Sequence, residues 1–146
     1  MINVRDSFLH FLSDNLTTTT VNGTTVNILV NNTRRDINVV GSDSNQIDAI
    51  NVKFLNADFA MEVSSLTASI DVIYSDELQC AAVTEALFTL LRQAAYTPKL
   101  DYSDLDNPVD VGYTVFWEPA IKFKPIHNML YTHYHARLIL NHYQQS

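Results

Sequence analysis

The sequence predicts an α+β domain: a small antiparallel or mixed β-sheet packed by one long central helix, with a second helix at the N-terminus. Three observations carry that expectation. Residues 66–74 alternate apolar and polar side chains, as a half-buried strand does. Directly after them, Leu78, Val83, Leu87, Leu90, Leu91 and Ala94 fall on one stripe of a helix spanning about 77–95. The chain has 146 residues, 47% hydrophobic and 17% charged, which suits a single cored domain over 1–146.

Taken in order, residues 3–16 read as a helix. Val4, Phe8, Phe11, Leu12 and Leu16 share a face, and Asn3 is placed to cap the start. Four threonines, 17–20, then favour extended chain, because β-branched side chains lose rotamer freedom in a helix. Asn22-Gly23 signals a tight turn, with a strand expected over 26–30. Residues 31–49 are expected to form a long loop rich in Asn, Asp and Ser, yet carrying Ile37, Val39 and Val40.

Strands are expected at 50–55 and 66–74. Asp76 suits the N-cap of the long helix, Gln79 completes a capping-box pattern, and Thr97-Pro98 stops the helix. Glu77 and Glu85 toward its start and Arg92 toward its end match the helix dipole. An acidic turn over 100–110 holds Asp101, Asp104, Asp106 and Asp110. Strands over 111–118 and 120–126 follow, either separate or continuous, and a long last strand covers 130–143. There Tyr134, Ala136, Leu138 and Leu140 share one face, and His133, His135, Arg137 and Asn141 the other.

Charge and motif content narrow the function. A net charge of −7 repels phosphate backbones, so a conventional nucleic-acid reader is not expected. The single cysteine, Cys80, cannot form an internal disulfide, and the first residues carry no basic-then-apolar run, so cytosolic synthesis is expected. The three Asn-x-Thr triplets, starting at Asn15, Asn22 and Asn31, are then chance features of an Asn- and Thr-rich chain. No apolar run approaches the roughly 20 residues of a membrane span.

His133-x-His135 has a spacing used by some zinc enzymes, with a third ligand needed from His127, His142 or the acidic turn. Polar alternation on an exposed strand face explains the pair equally well. The aspartates of 101–110 lack the glycine and closing glutamate of a calcium loop, so a solvated acidic turn is expected. Cys80 lies one turn into the long helix, where a lowered thiol pKa is conceivable, but no base is nominated for it. No phosphate-loop, dinucleotide or hydrolase motif is present, and no catalytic, cofactor or metal residues are expected. Arg34 and Arg35 form the one basic doublet. In a ring-forming protein they could pair with an acidic neighbour such as the 101–110 turn. The late aromatics (Tyr113, Phe116, Trp117, Phe123, Tyr131, Tyr134 and Tyr143) exceed what one sheet face buries, and a subunit interface would use the surplus.

The run Ser69-Ile-Asp-Val-Ile-Tyr-Ser75, followed by Glu77-Leu-Gln-Cys-Ala-Ala-Val-Thr-Glu-Ala-Leu-Phe-Thr-Leu-Leu91, resembles the strand-then-helix centre of tail terminator proteins of long-tailed bacteriophages. The order of elements is similar across most of the chain, while the recognisable sequence covers about 25 residues. The proline-led strand common after the first loop in that family is absent at 50–55. The resemblance implies a virion protein at the tail–neck junction, assembled in the host cytoplasm as a ring, a hexamer by family. That ring would cap the tail tube and contact both the tube protein and a neck or head-completion protein. DNA would pass through its lumen without specific binding, and no membrane would be involved. In such a ring Arg34, Arg35, Ile37, Val39 and Val40 are the expected interface residues. Another neck, head-completion or minor tail protein, or a small metal-binding α+β enzyme using His133 and His135, would share much of this composition.

Overall fold

The computed structural model describes residues 2–32, 46–58, 63–93, 113–117, 123–127 and 130–144. It is an α+β fold. Helix α1 (Ile2–Asn15) leads into β1 (Thr18–Val21) and β2 (Thr24–Asn27), a two-stranded antiparallel hairpin. The main sheet follows with β3 (Val30–Asn32), β4 (Ala49–Asp58) and β5 (Val63–Tyr74). Helix α2 (Glu77–Gln93) comes next, then β6 (Tyr113–Trp117), β7 (Lys124–Ile126) and β8 (Thr132–Gln144). The six strands lie in the order β3-β4-β5-β8-β6, with β7 also on β8. Only β3 and β4 run parallel; every other pair among the described residues is antiparallel.

Local chemistry explains several of these choices. Asn22 and Gly23 both take positive φ, 50° and 79°, which suits the tight turn closing β1 on β2. Thr18–Thr20 of the threonine run are therefore in a strand, and Thr17 precedes it. The strand expected over 26–30 divides instead: β2 ends at Asn27 and β3 begins at Val30. Asn3 lies inside the first turn of α1 and not ahead of it. The expected 31–49 loop does not hold at its ends, since Asn31 and Asn32 belong to β3 and Ala49 to β4, and residues 33–45 lie outside the described residues.

Helix α2 starts where the sequence places it. The Gln79 amide donates to Asp76 Oδ1 at 3.0 Å, and the Cys80 amide donates to the Asp76 carbonyl at 3.0 Å. Its buried face is Cys80, Val83, Thr84, Leu87 and Leu91, packed on β5, β8 and β1. Leu78 is not part of that stripe; it is 58% exposed. The geometry is simple: five residues at roughly 100° each carry Leu78 about 140° away from Val83.

Both helices contribute to one core against one face of the sheet. Phe8 and Leu12 of α1 and Leu16 just after it join Leu66, Ala68, Ile70, Val72 and Tyr74 of β5 and Ala136, Leu138 and Leu140 of β8. Phe8 meets Phe54 edge-on with ring centroids 6.4 Å apart, and the Arg5 guanidinium lies 5.7 Å from the same ring. Phe123 and Tyr134 pack on this core, and Phe123 stands edge-on to Phe88. These two aromatics extend the core and are not surplus to it.

The last edge of the sheet is two short strands on one neighbour. Trp117 lies opposite Leu140 and Lys124 opposite His135, so the edge advances seven residues while β8 advances five. The strands expected over 111–118 and 120–126 are thus separate segments on one edge. Residues 118–122, with the expected join at Pro119, lie outside the described residues.

Candidate functional site

The face of the sheet opposite the helices carries the unusual chemistry. Along β5, Thr67, Ser69, Asp71 and Ile73 point away from the helix-packed core, by the two-residue period of the strand. Register then builds rows across the sheet. Asn31, Asn51, Asp71, His135 and Lys124 stand side by side on five strands. Lys53, Ser69 and Arg137 form the next row on three.

At the centre, Asp71 Oδ1 lies 2.7 Å from His133 Nε2 and 2.8 Å from His135 Nδ1. An ionised carboxylate only accepts, so both ring nitrogens carry protons. His133 is therefore the Nε2–H form and His135 the Nδ1–H form when neutral. Ser69 Oγ donates a long bond, 3.4 Å, to Asp71 Oδ2. The carboxylate and His133 are 15% and 14% exposed, and His135 is 28% exposed. The Tyr131 ring is tilted against His133 at 6.3 Å. His133 and His135 do share the face that strand parity assigns them. What joins them is Asp71, 62 and 64 residues earlier in the chain, which no local pattern marks.

The two histidines are the sequence's candidates for metal chemistry. Among the described residues no group of three or more His, Cys, Asp or Glu side chains is arranged to hold a metal ion. The distances explain this. Two ligands at about 2.0–2.2 Å around a tetrahedral zinc stand roughly 3.3 Å apart. The separations to Asp71 are shorter and fit shared protons. His127 is exposed beyond β7 and has no part in the cluster.

Asn51 is the second site residue that sequence reasoning missed. It is 1% exposed, yet every polar atom of its side chain is engaged. Its Oδ1 accepts from Asn31 Nδ2 at 2.8 Å and from the Gln46 amide at 2.7 Å. Its Nδ2 donates to the carbonyls of Gln46 at 2.9 Å, Asp71 at 3.2 Å and Ala49 at 3.4 Å. A single amide thus ties the short parallel strand β3 and the approach to β4 onto β5. The available signal was a lone polar residue between Ile50 and Val52 in an apolar run. Asp48 does the same at the corner, with φ of 63°: its amide donates to the Ile73 carbonyl at 2.7 Å and its Oδ1 accepts from the Ser75 amide at 3.0 Å.

Cys80 is fully buried. Its thiol lies 3.4 Å from the Thr132 carbonyl and 3.5 Å from the Val72 carbonyl, either of which accepts its one proton. Burial pushes its pKa up, against the lowered value that a helix start suggests, and an inert core thiol results. Tyr74 is pushed up to about 12, first by burial and then by the neighbouring Asp48 and Cys80. Its hydroxyl is buried and has no hydrogen-bond partner among the described residues.

No protein-family model matches this chain, and no curated protein matches it in sequence. Among the described residues no helix is long and apolar enough to cross a membrane. The expected interface residues Arg34, Arg35, Ile37, Val39 and Val40 lie outside the described residues, as does the acidic turn at 101–110.

Proposed function

We propose that this protein is a structural component of a bacteriophage particle: a ring, hexameric by resemblance, that closes the tail tube at the tail–neck junction. Its partners are further copies of itself, the tube protein, and a neck or head-completion protein, and DNA passes through the lumen. One observation carries the reading most. It is the alternating strand β5 running through a two-residue break into the capped Ala- and Leu-rich helix α2 at the centre of the sheet, the unit whose sequence resembles tail terminators. The net charge of −7 supports it physically, because an acidic lumen repels a polyanion and lets it slide. The polar network on the second sheet face acts as a structural clasp in this reading. Its two imidazoles are held by the one Asp71 carboxylate.

The stretch carrying Arg34, Arg35, Ile37, Val39 and Val40 makes subunit or tube contacts in this reading. Burying its three aliphatic side chains against a neighbour would contribute roughly 1.5–3 kcal/mol each. Deleting residues 34–40 should leave a folded monomer that neither assembles into rings nor yields joined heads and tails. Rings and infectious particles from the deletion variant would show that the contacts lie elsewhere.

A further inference from the structure

The described surface is divided by charge. On the helix layer, Asp14, Asp76, Glu77 and Glu85 are exposed against Arg92, while Arg5 is drawn over Phe54. On the opposite sheet face Lys53, Lys124 and Arg137 are exposed, and the central carboxylate, Asp71, is already engaged by two imidazoles. Asp58 lies at the far end of that face. Two opposed faces of opposite sign on one acidic chain fit a second copy of that chain.

Each face also sets two like charges along one exposed line. Glu77, Ala81 and Glu85 are exposed at four-residue intervals, so they form one ridge of α2 with its carboxylates about 12 Å apart along the axis. Lys53, Ser69 and Arg137 are directly opposite one another on β4, β5 and β8, which sets the two cations roughly 10 Å apart across the strands. In each set a small side chain lies between two charges: Ala81 on the ridge, and the nearly buried Ser69 on the row. Exposed Ile139, on the same sheet face one row further along, supplies apolar surface at the margin.

We propose that the chain associates head to tail with a second copy, the Glu77, Ala81 and Glu85 ridge of one lying along the Lys53, Ser69 and Arg137 row of the next. The inference deepens the ring reading and rests on it for closure. Because the two surfaces differ, the contact is heterologous and either closes into a ring or propagates. Salt bridges at such a contact set register and are weakened by salt.

The test is a charge swap on the full chain, read by sedimentation at low and high salt, with thermal unfolding as a fold check. Wild-type protein should self-associate at low salt and dissociate as salt rises. Glu85→Arg and Arg137→Glu should each weaken association by roughly tenfold or more. The double variant should restore it, since both signs are then reversed together and each ridge again meets a row of opposite charge at that pair. Wild-type protein that stays monomeric at low salt overturns the interface. So does association that the single reversals leave intact, or that the double variant fails to restore. Salt-sensitive binding of a DNA oligonucleotide by a monomeric wild type, lost in Arg137→Glu, would assign the row to a polyanion instead. Rings insensitive to the swap would end this inference and leave the ring reading standing; a swap-sensitive assembly absent from virions would do the reverse.

Discussion

The two faces of strand β5 differ in a way that separates what a local sequence encodes from what a fold creates. One face, Leu66, Ala68, Ile70, Val72 and Tyr74, is buried under the two helices. Its alternation is visible in nine consecutive residues, and so is the helix that covers it. The other face, Thr67, Ser69, Asp71 and Ile73, shows only that it is not the helix-packed one. Its chemistry comes from register: Asp71 acquires His133 and His135 only because β8 pairs with β5 in one particular alignment. A slip of one residue would turn both histidines into the core. Hydrophobic period therefore specifies the core face, and long-range pairing builds the polar one.

Three substitutions test that difference, in order of expected size. Leu87→Ala, on the face that the period encodes, should cost about 2–5 kcal/mol, because Leu87 is wholly buried and its cavity cannot fully collapse. Chemical denaturation measures it, and a loss below about 0.5 kcal/mol would show that the helix does not pack there. Asp71→Ala, on the register-built face, should cost roughly 1–3 kcal/mol, since it strips the acceptor from two half-buried ring N–H groups. It should exceed either His133→Ala or His135→Ala alone. Equal losses for all three would mean that the two hydrogen bonds are not shared through one carboxylate.

The smallest effect is expected at Tyr74. Tyr74→Phe removes a hydroxyl with no partner among the described residues and should be neutral or slightly stabilising near pH 7. The difference widens in alkali, in the same direction. A phenol whose folded pKa is about 12 keeps its proton above pH 10, where the unfolded chain loses it, so unfolding releases a proton. The stabilising contribution is complete below about pH 10 and is lost as pH rises toward 12. Stability of the wild type should fall through that window more steeply than that of Tyr74→Phe; parallel pH profiles would place the tyrosine in water.

Much of the fold is legible in the sequence for identifiable reasons. Asp76 and Gln79 announce the start of α2, and Asn22-Gly23 announces a turn whose positive φ values only such residues adopt easily. Leu78 misleads because a leucine count along a helix ignores its angle, and Leu78 stands beside the stripe and not on it. The threonines favour extended chain, but β1 becomes a paired strand only once the turn has brought β2 against it. Of the site, the shared face of His133 and His135 follows from strand parity. The roles of Asp71 and Asn51 do not, because their partners on neighbouring strands are distant in sequence. Arg34, Arg35, Ile37, Val39 and Val40 belong to a segment outside the described residues, so solution and particle experiments must test them.

The proposal of a ring at the end of a phage tail is tested most directly by imaging. Electron cryomicroscopy of virions carrying this protein, with and without a small label fused at its C-terminus, would locate it. Ring-shaped density for several copies is expected at the junction of tail tube and neck, with the label around its rim. Density in the capsid shell, at the distal tail tip, or absent from the particle altogether would contradict it.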